Sequence, residues 1–193
     1  MKTPARRRVG LLLASLCLPL FAQAAETQPT HEFSLDNGLK VIVREDHRAP
    51  VVVSQLWYRI GSSYETPGLT GLSHALEHMM FKGSRKLGPG EASRVLRDLG
   101  AEENAFTTDD YTAYYQVLAR DRLPVALELE ADRMAHLALP ADQFKSEIEV
   151  IKEERRLRTE DKPSALAFER FKAAAYPASG YRTPTIGWMA DLQ

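Results

Sequence analysis

The sequence has almost no cysteine: Cys17 is the only one in 193 residues. A disulfide within the chain is therefore excluded. It also lacks any apolar run of membrane-spanning length. The longest, "LLLASLCLPLF", is too short and lies close to the N-terminus. Charge of one sign is not in excess, with 26 acidic against 25 basic residues. No stretch interleaves basic and aromatic side chains, which argues against a nucleic-acid partner. Internal repeats and low-complexity tracts are missing too. These absences leave an ordinary soluble globular chain, long enough for one domain with a real core.

The N-terminus has its own logic. Lys2, Arg6, Arg7 and Arg8 precede the short apolar run, and "AQA" at 22–24 supplies small residues at both recognition positions. This is the layout of a secretory signal peptide, with cleavage expected after Ala24. Leu16 stands before Cys17, where a lipoprotein signal requires Gly or Ala, so the leader is expected to be cleaved rather than lipidated. The expected division is a signal peptide at 1–24 and one domain at 25–193. No membrane span is expected once the leader is removed, and the periplasm of a Gram-negative bacterium, or secretion, is the expected location.

Along the remaining chain, "HEFSLDNGLKVIVRED" is two alternating runs about a hairpin turn at Asp36-Asn37-Gly38. "PVVVSQLWYRIGS" is a third strand, rich in β-branched and aromatic residues. The period then changes. Thr70 is placed to cap a helix over about residues 71–82, and Gly83 to end it. A second helix is expected over about residues 90–99, followed by two strands around a turn at Asp109-Asp110. Three helical stretches follow from Leu123, the second beginning near Pro140 and the third after Pro163. Strands first and helices afterwards predict an α+β fold, an antiparallel sheet with helices packed on one face. The C-terminal "YRTPTIGWMADLQ" reads as the entrance to further structure, so the chain is expected to be part of a longer protein.

The chemistry concentrates in "HALEH". His74 and His78 are four apart, which puts both imidazoles on one face of a helix within reach of one ion. Glu77 stays near that face. Neutral imidazole is a good zinc ligand, and a hydrolytic zinc site takes three protein ligands and leaves a position for water. A third ligand is needed. In "SEIEVIKEERRLR", Glu147 and Glu154 are two turns apart and share a face with Val150 and Ile151 between them, while Glu149, Glu153 and Arg156 turn away. A carboxylate on an apolar stripe is costly unless paired or bound to a metal.

His-x-x-Glu-His is the inverse of the zincin motif and is the inverzincin signature. On these residues the chain resembles the pitrilysin and insulinase family of zinc metallopeptidases, which includes the mitochondrial processing peptidase. The resemblance runs over essentially all of the chain after the leader. It implies a metallohydrolase domain of that type, holding one Zn2+ through His74, His78 and Glu154, with Glu154 lying 76 residues beyond His78. It further implies Glu77 as general base, Glu147 as a supporting acid, and Asn104 and Ala105 on the edge strand that meets the substrate backbone.

Peptides or unfolded protein segments are the implied substrates, cut by metal-assisted hydrolysis. A second family domain or a partner chain is implied to complete the site. Ala75 stands where the family often has Phe, and Ala101 where a second Gly is common. Two other readings belong to the same fold: a non-catalytic peptide-binding or partner subunit, and a metallohydrolase acting on a small thioether. The retained ligands and base oppose the first, and the Asn104 strand opposes the second.

Overall fold

The computed structural model describes residues 29–193. The expected leader at 1–24 lies outside the described residues. The described residues form five β-strands and five α-helices in two compact units, divided after Arg48.

The first unit is a hairpin. β1 (Thr30–Ser34) pairs antiparallel with β2 (Lys40–Arg44), His31 opposite Val43 and Phe33 opposite Val41. The turn is the one expected. Gly38 has φ +85°, which a side chain would strain, and Asn37 Oδ1 accepts from the Leu39 amide at 3.1 Å.

The second unit carries a three-stranded antiparallel sheet in the order β3 (Val51–Tyr58), β5 (Thr112–Ala119), β4 (Glu102–Thr107). The α+β class with antiparallel sheets and helices is as expected. The strands are divided differently, because β1 and β2 form a sheet of their own and the three longer strands another. In the larger sheet the period of two is clean. Val52, Leu56 and Tyr58 alternate with the exposed Val51, Val53 and Trp57. On the covered face Leu118 packs with Val52 against Leu96 of α2 (Glu91–Asp98) and Ala126 of α3 (Leu123–His136). Helices therefore cover one face of this sheet, and β4 is an edge strand.

The helix carrying the two histidines is shorter than its sequence pattern suggested. α1 spans Leu72–Met79, and Met80 and Phe81 continue as a turn. Thr70 does not cap it. The Glu65 carboxylate does, accepting from the Gly71 and Ser73 amides at 2.7 Å each, and a negative group suits a helix N-terminus. Thr70 instead donates to Asp191 at 2.6 Å and accepts from the Trp188 amide at 2.9 Å. Beside it Gly71 and Gly187, both at φ +85°, pack so closely that a Cβ on Gly187 would lie 2.6 Å from the Thr70 carbonyl oxygen. The start of α1 is thus tied to the C-terminal segment.

α4 (Ala141–Arg155) ends earlier than the helical pattern, which runs to about Asp161. Its last turn widens into a π-turn at Arg156–Glu160, a feature common at functional sites. Ala75 of α1 packs on Ile148 and Ile151 of α4, with Leu192 from the C-terminal segment. The buried stripe of α4 is Ile148 and Ile151; Val150, expected there, is half exposed. Arg155 joins α4 to α5 (Pro163–Ala175) by two bonds to Glu169, at 2.8 and 2.9 Å.

Ile151 is fully buried at this α1–α4 contact. Ile151→Ala is expected to destabilise the second unit by about 2–5 kcal/mol, read as a lower urea midpoint at unchanged slope.

Candidate metal centre

Two of the donors come from one face of α1. His74 and His78 are one turn apart with ring centroids 4.6 Å apart. Across from them α4 presents Glu154, whose Oε2 lies 3.4 Å from His78 Nε2 and 3.8 Å from His74 Nε2. The ligand atoms of these three residues lie within 4.8 Å of one another, and no other His, Cys, Asp and Glu group among the described residues meets that condition. Two imidazole nitrogens and a carboxylate oxygen with an open side are the donor set of a catalytic zinc site.

The surroundings suit a cation held by neutral imidazoles. Burial, with smaller contributions from His78 and Arg158, pulls the His74 pKa down to about 4. Its ring is therefore uncharged at neutral pH. His78 Nδ1 lies 2.9 Å from Glu147 Oε1, which leaves Nε2 facing Glu154. Lys82 Nζ holds the other Glu147 oxygen at 2.6 Å. Burial would raise the Glu147 pKa, but the bonds from Lys82 and His78 outweigh it and keep the group below its ordinary value. A carboxylate behind a ligand histidine fixes ring orientation and raises donor strength. Arg158, from the π-turn, takes Glu154 Oε1 at 2.8 Å, so only Oε2 is turned to the histidines.

Glu77 sits beside this group without joining it. Burial pushes its pKa up, opposed by a hydrogen bond from Thr107 and by the neighbouring His78. Thr107 Oγ1 donates to Glu77 Oε2, which leaves Oε1 free of this bond. Asn104 and Ala105 lie on the same edge strand, Asn104 exposed and Ala105 half-buried, with Asn104 Oδ1 accepting from the Ala105 amide at 2.9 Å. All of these residues except Glu147 and Lys82 line one cleft of about 700 Å³, which is also lined by α5 and the segment at Arg182–Ile186.

The structure therefore brings His74, Glu77, His78, Glu154, Asn104 and Ala105 into one cavity and sets Glu147 behind His78. Sequence reading missed four contributors: Thr107, Lys82, Arg158 and Glu65. Thr107 had a signal, since it follows Ala105 by two in a strand and so shares its face. Arg158 had one as well, four residues after Glu154 on a helix. Lys82 and Glu65 contact partners through the tertiary fold or through irregular turns, and no period in the sequence reports that.

Comparison with known proteins places this geometry in context. Residues 40–187 match the profile of the family described as Insulinase (Peptidase family M16). The chain is 36% identical to the zinc protease PqqE of Helicobacter pylori over 97% of its own length and 43% of that protein. It is 36% identical to the human mitochondrial cytochrome b-c1 complex subunit 1, over 78% of this chain and 30% of that one. A crystal structure of a protease from Helicobacter pylori superposes with a TM-score of 0.84 at 34% identity, covering 86% of this chain and 40% of the other. The chain thus spans less than half the length of these proteins.

The buried neutral His74 has a consequence for the metal-free protein. Its folded pKa of about 4 lies below the unfolded value of 6.5. The unfolded chain therefore takes up the proton first, and stability present above pH 6.5 is lost as pH falls towards 4. The loss is at most ~3 kcal/mol. Urea titrations of metal-free protein at pH 7 and pH 5 are expected to show it, and His74→Asn to remove most of the difference.

Proposed function

The chain belongs to the insulinase family of peptidases, M16, and from that premise we propose that it is a zinc-dependent metalloendopeptidase domain cutting peptides or unfolded protein segments. One observation carries the reading: two imidazole nitrogens, a carboxylate oxygen and a separate half-buried carboxylate, Glu77, meet in one cleft beside an edge strand. The donor chemistry fits zinc, held by His74, His78 and Glu154, one ion per domain. Such an ion lowers the pKa of a bound water towards about 7 and polarises a carbonyl oxygen.

The chain's own residues supply the rest. Glu77 Oε1 takes the proton from the attacking water and passes it to the departing amine. Thr107 fixes the carboxylate so that one oxygen faces the reaction, and the buried setting of Glu77 keeps its basicity above that of an exposed acid. The edge of β4 receives the substrate as an added strand, by main-chain hydrogen bonds that ask little of its sequence. Asn104 Oδ1 now satisfies the Ala105 amide, and a substrate carbonyl would replace it there. Glu147 and Lys82 hold His78 in place without touching substrate.

A second family domain or a partner chain is part of this proposal. Leu69, Leu72 and Leu76, before and along α1, are exposed by 62%, 54% and 41%, an apolar strip suited to being covered. The leader motif supports a periplasmic or secreted location. The non-catalytic reading is supported by relatives such as the human one named as a subunit of the cytochrome b-c1 complex. Retention of Glu77 and all three ligand residues favours the enzyme.

The test separates binding from chemistry. The parent and Glu77→Gln are both expected to hold about one zinc by metal analysis, while the variant loses at least about 100-fold in cleavage of an unstructured peptide library. Equal cleavage by both would remove Glu77 as the base.

A further inference from the structure

The walls of the cleft carry an uneven charge. Lys172 is neutralised by Asp109, with Nζ 2.6 and 2.8 Å from its two carboxylate oxygens. Glu169 is taken by Arg155 through both oxygens. Arg158 is bound to Glu154, itself one of the ligand residues. Arg182 stands apart: its guanidinium donates to the Pro177 carbonyl oxygen at 3.2 Å, and it pairs with no carboxylate among the described residues. With a divalent ion offset by Glu77 and Glu154, the charges of Arg158 and Arg182 are left over. The loaded cleft is therefore net positive.

Arg182 is exposed, but its backbone is well fixed. The single 3-10 turn Gly180–Arg182 lies against Ser63 so closely that a Cβ on Gly180 would be 1.9 Å from the Ser63 carbonyl oxygen. Tyr181 anchors the same turn by donating to Asp110 at 2.9 Å. Little backbone entropy remains to be lost when an anion binds. On the same wall Phe168 is 66% exposed, a large apolar face turned to the cleft.

We propose that Arg182 is a specificity-determining residue that selects peptides carrying a carboxylate beside a large apolar side chain, the apolar group covering Phe168. This rests on the peptidase reading and names its substrate class. The carboxylate is an Asp or Glu side chain or the peptide's own C-terminus, since both present the same fork to a guanidinium. A lysine at that position would meet Arg182 and Arg158 and be disfavoured. Screening limits the effect, because Arg182 is in contact with solvent.

The experiment measures binding, so that cleavage plays no part. Fluorescent peptides built around one leucine, with Glu, Gln or Lys placed next to it and each with a free or an amidated C-terminus, are titrated by anisotropy into the zinc-loaded Glu77→Gln chain. The expected result is a Glu-over-Lys preference of about threefold to tenfold at low salt, shrinking as salt rises. A Glu-over-Lys preference that survives amidation assigns the side chain as the source; a preference for the free over the amidated form, shared by the Glu, Gln and Lys peptides, assigns the C-terminus.

In the same background Arg182→Gln is expected to remove the preference and Arg182→Glu to invert it, with zinc content and far-UV circular dichroism confirming that both variants fold. Peptide binding without charge preference, or a preference that persists in Arg182→Glu, overturns the inference and leaves the peptidase reading standing. No binding of any peptide overturns the peptidase reading, and the inference with it.

Discussion

The approach of α1 to α4 governs the site. Its candidate ligand residues are 76 positions apart in sequence, from His78 to Glu154. They meet where Ala75, one residue from His74, packs against Ile148 and Ile151. A core contact and a ligand thus alternate along one turn of α1, and packing of the first sets the distance of the second. Close-packed interiors transmit such displacements. The Gly71–Gly187 contact and the Glu65 cap hold the same helix at its N-terminus. The C-terminal segment contributes to this positioning through Leu192 and through the bonds of Asp191 and Trp188 to Thr70.

Placing charged and polar groups in a cleft raises their cost, and the neighbours answer it in different ways. His74 stays neutral because burial disfavours its cation. Glu147 stays ionised because Lys82 and His78 outweigh its burial. Glu154 is held on one side by Arg158, and Glu77 on one side by Thr107. Glu154 and Glu77 each keep one oxygen for structure and turn the other to the site. Arg182 has no carboxylate partner among the described residues, which is the ground for proposing it as a group that meets substrate.

Much of this was readable in advance, and the reasons are physical. Helix period alone placed His74 and His78 together, and the turn signals about Gly38 and Asp109-Asp110 matched the observed strand ends. The α+β order followed from the change of period after Tyr58. Other features were hidden. Thr70 had the chemistry of a cap, yet a better acceptor for the helix amides arrived from Glu65 and freed it for Asp191. The continuous helical pattern from Pro140 concealed the π-turn, because a wider turn leaves composition unchanged. Val150 shared a nominal face with Ile151 but falls on the exposed side of a helix whose buried stripe is narrow. The split of the strands into two sheets depends on pairing between distant segments, which local patterns do not encode.

In the proposed site one ion joins α1 to α4 through two imidazoles and one carboxylate. X-ray absorption at the zinc edge tests it directly, on the zinc-loaded chain and on Glu154→Gln. The account predicts a shell of two histidine nitrogens with light oxygen donors in the parent, and a weakened, less occupied shell in the variant that keeps the histidine signature. An unchanged shell in Glu154→Gln, or a parent that binds zinc without histidine scattering, would contradict it.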